Sequence, residues 1–265
     1  METLNKLLAI DINFIIIGLI VVFYTMENIF TTQFRFNGMP NHLLQNILFQ
    51  VAFYMANLLW AFVTVFTIEW LNKHEIGLFY LVTVPLWLKL ALGVMMFDFV
   101  NYWFHRTAHR IPLLWRFHRV HHSDTRMDAS TNLRAHPIKL AVYFGTSNIV
   151  AAAIFGLDLL SLGLFFLIIT PYVFLEHSNI KFPVWLDKTL GLVFTTPNMH
   201  KVHHHWQQPY TDSNYGLIFS FWDRMFGTFI KLDPSKIRYG LDRYYPNEED
   251  ENFLLLMKKP FRKME

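Results

Sequence analysis

The chain has 265 residues, 53% of them hydrophobic, with 27 Phe, 11 Tyr and 8 Trp against 16% charged residues and a formal net charge of +3. That charge content is low and that aromatic content high for a soluble enzyme, and no nucleic-acid partner is expected; the length admits one large domain or two small ones. The absence of cysteine excludes thiolate metal ligands, iron–sulfur clusters, CxxC redox chemistry and disulfides.

Apolar runs of about bilayer-crossing length are read at Leu8–Tyr24, Leu44–Thr67, Pro85–Phe104, Leu140–Phe155 and Leu159–Leu175. The first follows Lys6 and ends in Phe23-Tyr24-Thr25-Met26-Glu27 without a small-residue cleavage site, so it reads as a retained anchor rather than a signal peptide. All Lys and Arg except Lys6, Lys73 and Lys89 fall in Asn28–His42, His105–Lys139 and Ser178–Glu265, which one topology places on a single side. The positive-inside rule makes that side the cytoplasm and puts the N-terminus outside. Lys89 is then expected near the outer mouth of the third run, snorkelling to the interface beside Trp87, with Gly77–Val84 on the outer surface.

The fourth and fifth runs read as a hairpin around Gly156-Leu157-Asp158, each leg slightly short for a full span. Pro112 suits the first turn of a helix running through His118, His121 and His122. Thr196-Pro197 repeats the arrangement, a Thr cap and a first-turn Pro before His200, His203 and His204. A polar loop, Gln207–Asn214, precedes the aromatic stretch Tyr215–Phe229. The tail Asn247–Glu265 carries Phe253-Leu254-Leu255-Leu256-Met257 followed by Lys258, Lys259, Arg262 and Lys263, a pattern suited to a membrane surface.

Two copies of His-x-x-His-His, at His118/His121/His122 and His200/His203/His204, dominate the functional reading. Random placement of the histidines would give roughly 0.03 such triplets. On a helix these positions share one face, and neutral imidazole is a good donor for zinc, copper, iron and nickel. His105 and His109 form an i, i+4 pair at the inner end of a spanning helix, and His177 ends the hairpin on the same side. His136 precedes the hairpin and stays open as a further donor, against the reading of an ordinary core histidine. His205 points away from the face of its neighbours and is left outside the ligand set, as are His42 and His74, both read as ordinary surface residues. Eight to ten imidazoles exceed what one tetrahedral zinc takes and suit two metals with positions left open.

The order Asp98-x-x-x-Tyr102-Trp103-x-His105-Arg106-x-x-His109, Leu114-Trp115-x-x-His118-x-Val120-His121-His122-Ser123, Pro197-x-x-His200-x-Val202-His203-His204, then Asn214-Tyr215-Gly216 and Trp222-Asp223-Arg224-Met225-Phe226-Gly227-Thr228, resembles the fatty acid hydroxylase/sterol desaturase superfamily. The stretch Thr196–Phe229 is most similar to its alkylglycerol monooxygenase-like branch. The resemblance implies a non-haem centre of two Fe ions held by His105, His109, His118, His121, His122, His177, His200, His203 and His204. A related branch carries a further His where this chain has Val173, so a tenth donor would come from His136 or from water. Asp98, two turns before His105, is expected to accept an N–H from a liganding imidazole; the alternative is an ion pair with Arg106 or Arg110. Asp223 and Arg224 are expected to pair with each other, and Asn214 and Gly216 to shape a turn.

The expected protein is therefore all-α, a polytopic membrane helical bundle with a cytoplasmic cap of short His-bearing helices. It divides into membrane anchor helices (1–84), a fatty acid hydroxylase-like di-iron domain (85–231) and a membrane-surface tail (232–265). The resemblance implies hydroxylation or desaturation of a lipid from the bilayer (sterol, fatty acyl or ether lipid) with O2 as co-substrate. No cytochrome b5 stretch, Gly-rich dinucleotide fingerprint or haem motif is read, so a separate electron donor of cytochrome b5, ferredoxin or reductase type is expected. The membrane would be the plasma membrane in a bacterium and the endoplasmic reticulum in a eukaryote. Two alternatives stay open: a dizinc membrane hydrolase, disfavoured by the lack of carboxylates within the His boxes, and a metal transporter, which would want its ligands at the bilayer midplane.

Overall fold

A computed structural model of the protein describes residues 12–30, 39–241 and 252–262. The start of the first apolar run, most of the basic Asn28–His42 connection and the beginning and last residues of the tail lie outside them. The described elements are helical, with only isolated β-bridges at Phe194–Phe219 and His205–Tyr239.

The membrane part is built from α1 (Ile12–Ile29), α2 (Met39–Lys73), α3 (Leu86–Arg110), α5 (Gly145–Phe155, entered through a π-helical turn at Lys139–Phe144) and α6 (Leu159–His177). Between α3 and α5 lies α4 (Pro112–His122). Among the described residues three segments, Ile12–Ile29, Pro40–Tyr80 and Leu159–His177, are long and apolar enough to cross a membrane, and Lys139–Phe155 is a shorter apolar helix. The chain is thus an integral membrane protein. Large side chains such as Phe14, Met55, Leu58, Leu59, Phe62 and Phe66 project outward from α1 and α2. In a soluble protein such a belt would be a liability; against lipid it is the expected surface.

The helices alternate in direction, so their ends gather in two layers. At one end the glycines of the two turns touch: a Cβ on Gly77, whose φ is +123°, would sit 2.0 Å from the Gly156 nitrogen. Gly156 itself, at φ +73°, stops α5 in the left-handed conformation that glycine adopts without steric cost. Asp158 then caps α6 through the Ser161 amide and pairs with Lys89 at 2.9 Å. Lys89 therefore has a protein partner in addition to any contact with the interface.

At the opposite end lie the last turns of α1, α3 and α6 and the first turns of α2 and of the Lys139–Phe155 segment. They carry the polar cap. The α4 helix opens with Pro112 in its first turn, as expected from the sequence. The short helix α7 (Pro197–His203) opens with Thr196 accepting from the Met199 amide and Pro197 following, again as expected. The cap closes with α8 (Phe221–Met225) and α9 (Phe253–Lys258). The membrane core packs Phe97, Val100, Leu162, Phe165 and Ile169 between α3 and α6.

One expectation is corrected here. His42 is not a surface residue: it is buried, with Nε2 2.9 Å from the Asp124 carboxylate and Nδ1 3.1 Å from Asp128. The reason is length. At 35 residues α2 runs about 52 Å at about 1.5 Å per residue, well beyond a hydrocarbon core of about 30 Å. Its first turns enter the cap and bring His42 and Asn46 with them. His74, at the other end, is exposed as expected. Part of the tail packs into the cap. Leu256 of α9 is fully buried against Phe49 and Val120, and the Phe253 amide donates to Gln45, although Leu254 and Phe261 remain exposed.

Candidate metal centre

Nine histidines converge in the cap and sort into two groups. His105, His109, His118, His122 and His203 form one; His121, His177, His200 and His204 form the other; within each, one nitrogen per ring lies within 4.8 Å of every other. All nine are buried. The groups adjoin, since the rings of His122 and His204 stack at 4.4 Å. Each triplet divides between them: His118 and His122 face one group while His121, on the same turn of α4, faces the other.

The spacing of ring nitrogens tests whether the set fits a metal. Nε2 atoms lie 3.1 Å apart for His105–His118, 3.3 Å for His122–His118, 3.1 Å for His177–His121 and 3.0 Å for His200–His177. Around an ion with metal–nitrogen bonds of about 2.1 Å, neighbouring donors are about 3.0 Å apart in an octahedron and about 3.4 Å in a tetrahedron. The observed edges fall in that interval. Nε2 of His109, His203 and His204, buried alongside them, has no hydrogen-bond partner. Buried polar atoms of this kind are rare without a reason, and a cation supplies one. The residues present fit two metal ions.

Electrostatics favour the same use. Burial, with help from neighbouring rings, holds His121, His122, His200 and His204 well below the ordinary histidine range. For His118 burial acts first and the charge of Lys139 second. His203 is pushed down to about 3, chiefly by burial. Neutral rings keep their lone pairs available to a metal.

Four of the nine outer nitrogens are braced by backbone carbonyls, whereas Nδ1 of His118, His122 and His200 has no hydrogen-bond partner. His105 Nδ1 donates to Tyr215 O at 2.9 Å, His203 Nδ1 to Ser213 O at 2.7 Å, His121 Nδ1 to Arg134 O at 3.2 Å and His177 Nδ1 to Val173 O at 2.7 Å. His109 Nδ1 instead faces the Asp212 carboxylate at 3.3 Å. Such contacts leave Nε2 as the donor atom and fix ring orientation. Residues 212–215 thus serve three rings of the five-histidine group. That strand of backbone is shaped by Asn214, at φ +51°, whose side chain donates to Met199 O and Ile230 O. A Cβ on Gly216 would meet Phe219 O at 2.5 Å, so only glycine fits there.

The expected role of Asp98 is corrected. It touches no histidine and pairs with neither Arg106 nor Arg110. Its carboxylate accepts from the amides of Ile218 and Phe219 and from Trp222 Nε1. Asp98 faces the segment that crosses α3, whereas His105, farther along the helix, already gives its outer N–H to Tyr215. Asp223 and Arg224 do not form an ion pair either. Asp223 accepts from the amides of Tyr215 and Gly216 and from Thr228, while Arg224 reaches the carbonyls of Gly191 and Ser220 and covers the Phe229 ring. Both aspartates hold backbone: Asp223 steadies Tyr215, whose carbonyl orients the His105 ring, and Asp98 anchors the stretch that follows at Ile218 and Phe219.

His136 stays outside both groups; its Nε2 lies 3.3 Å from Met257 O and its Nδ1 accepts from the Ile138 amide. His205 accepts from the Arg238 amide. Sequence reasoning missed the network behind His121: Asp124 joins His42 and Thr131 and lies 3.5 Å from Arg134, whose carbonyl meets His121. It also missed Glu176, a buried carboxyl at the end of an apolar helix, which intramembrane burial alone should have flagged.

Between the helices a cavity of about 630 Å³ reaches His105, His118, His121, His177 and His200. Its walls are mostly apolar, from Ile12 and Ile16 of α1, Phe53 of α2 and Phe166 and Ile169 of α6.

The family model described as fatty acid hydroxylase matches residues 90–228. The alkylglycerol monooxygenase of Danio rerio is 38% identical over 165 residues, covering 58% of this chain and 32% of that protein. The Homo sapiens alkylglycerol monooxygenase is 33% identical over 164 residues, covering 58% and 33%. An ornithine lipid hydroxylase of Rhizobium tropici is 30% identical over 183 residues, covering 67% of this chain and 51% of that protein. The aligned part thus spans about a third of the alkylglycerol monooxygenases it matches. No solved structure matches the chain.

Proposed function

Because this chain belongs to the fatty acid hydroxylase family, we propose that it is a membrane-bound lipid oxygenase with two iron ions, which hydroxylates an unactivated C–H of a lipid drawn from the bilayer. The observation that carries the reading is the connection between the two histidine groups and a largely apolar cavity lined by the apolar helices. A hydrolase would want water at its metals, whereas this site sits at the end of an apolar slot.

The residues that would hold the metals are His105, His109, His118, His122 and His203 for one ion and His121, His177, His200 and His204 for the other. Redox-active ions bound there supply the activation of dioxygen that C–H oxidation needs and that zinc does not provide. The stoichiometry is RH + O2 + 2e⁻ + 2H⁺ → ROH + H2O, so a separate donor of cytochrome b5, ferredoxin or reductase type delivers two electrons. The chain's own work is positioning. The carbonyls of Ser213, Tyr215, Arg134 and Val173 aim the rings; the aromatic and aliphatic walls align the acyl chain and exclude water from the reaction. The distribution of Lys and Arg supports a cytoplasmic position for the cap. The relatives named as a monooxygenase and a lipid hydroxylase favour oxygen insertion over desaturation.

Metal analysis of the purified chain, with Mössbauer spectroscopy, tests the centre: two irons per chain are expected. Stoichiometric zinc without iron would point to hydrolysis, and no fixed metal to transport. Lipid profiling of a deletion strain against its parent tests the reaction, through loss of a species heavier than its precursor by one oxygen. Loss of a species lighter by two hydrogens would make it a desaturase.

A further inference from the structure

The cavity carries one cation without a counter-charge. Lys139 lines it at the start of the π-helical turn before α5. Among the described residues it forms no ion pair, and no acidic group lies close enough to act on it. Its Nζ lies 5.5 Å from the centre of the Tyr143 ring, which packs edge-on against Phe104 at 5.2 Å, next in sequence to His105. Its charge acts on His118 and His121. The ammonium therefore stands at the metal end of the cavity. Glu176 is the one carboxyl in the lining; neither of its oxygens has a hydrogen-bond partner, and Lys139 is not among the charges that act on it. The two groups do not neutralise each other.

Lys139 is half-buried, and an ammonium facing a largely apolar cavity is costly unless something pairs with it. Here the surroundings make matters worse, because the nine imidazoles are neutral and bound cations would add charge of the same sign. This end of the cavity calls for an anion, while its walls toward α1, α2 and α6 offer Ile15, Phe53, Leu162 and Leu167 to an alkyl chain. We propose that Lys139 is the subsite for the anionic terminus, a carboxylate or phosphate, of a single-chain lipid whose tail lies along these apolar walls. The proposal rests on the lipid-oxygenase reading and narrows it to acidic lipids. It also sets regiochemistry: with the head held beside the metals, the carbons nearest the acidic group are those presented for oxidation.

The test is equilibrium binding to the full chain in detergent at neutral pH, using hexadecanoate, hexadecyl phosphate and hexadecan-1-ol, with inorganic phosphate as competitor. A charge-assisted contact should make at least one of the anionic lipids bind roughly tenfold or more tightly than the alcohol. The tighter of the two identifies the head group. Lys139→Gln should bring the anions to the level of the alcohol, and Lys139→Arg should keep the preference. Unchanged affinity for the alcohol in both variants shows that the cavity is intact. The proposal is overturned if the wild type binds the alcohol as tightly as both anions, or if Lys139→Gln keeps the preference. Displacement of the lipid anions by inorganic phosphate at similar concentration would also overturn it, assigning Lys139 to a free anion instead. No turnover is needed, so failure here leaves the oxygenase reading standing, and failure to detect oxidised lipid leaves this measurement valid.

Discussion

The Nδ1 of His105 lies 2.9 Å from the carbonyl oxygen of Tyr215, 110 positions along the chain. The amide of Tyr215 in turn donates to Asp223 at 2.8 Å, so one carboxylate steadies the acceptor that orients a ligand ring. Asp223→Asn would leave both amides it serves without a charged acceptor, and one of them facing an NH2 donor instead of an oxygen. Loss of such support around a metal site costs about 10–100-fold in affinity. A chelator titration followed by metal analysis should release one equivalent early in this variant and leave the second as in the wild type.

His203→Ala and His121→Ala remove donors from different groups. Each should abolish turnover and reduce bound metal to one equivalent, His203→Ala at the five-histidine group and His121→Ala at the four-histidine group. Metal content per chain is the readout, and full occupancy in either variant would remove that residue from the ligand set.

The contact of His42 with Asp124 and Asp128 gives a prediction about stability rather than chemistry. His42→Ala would remove the shared cation from two buried carboxylates, leaving Asp124 with Thr131 and Arg134 and Asp128 with Ser130; breaking a buried charged pair costs up to about 3–5 kcal/mol. The variant should unfold at clearly lower temperature in detergent. Because Asp124 also neighbours Arg134, whose carbonyl braces His121, metal at the four-histidine group should become easier to extract.

Asp158 predicts a pH dependence at the opposite end of the bundle. Burial pushes its carboxyl up, but the hydrogen bonds from Lys89 and Ser161 outweigh it and leave the group below its ordinary value. With the folded value lower than the unfolded one, this contribution is present above about pH 3.9 and is lost as pH falls further. Asp158→Asn should cost up to about 1 kcal/mol at neutral pH, mainly through loss of the Lys89 pair, since Asn caps a helix about as well as Asp. Thermal unfolding of wild type and variant should then converge below pH 4.

Much of this architecture could be read from residues alone, for identifiable reasons. Pro112 and Thr196-Pro197 announce the helices that carry the triplets, because a first-turn proline and a hydroxyl cap are local signals. The nine histidines were legible because few other patterns place so many imidazoles on helix faces. The division of each triplet between two groups was not, since it depends on how α4 and α7 face each other. His42 looked like a surface residue because the apolar run beginning at Leu44 hides how far α2 extends. Asp98 and Asp223 looked like partners for charges or rings; their real partners are backbone amides far along the chain, which no side-chain pattern reveals. Lys139 and Glu176 stand at the ends of apolar runs, where a charge is ordinary, and only the cavity shows what they face.

The contact of Asp212 with His109 has no counterpart in the other group, whose braced rings lean on the amide oxygens of Arg134 and Val173. A carboxylate set directly against a ring nitrogen in one group, with only the more distant Asp124 and Asp128 acting on the other, makes the two sites inequivalent in a medium that screens poorly. The ion beside Asp212 would settle first and tolerate the higher valence. Its neighbour would load later and leave sooner, so assembly of the pair would proceed in a staggered order set by how closely a carboxylate approaches each group.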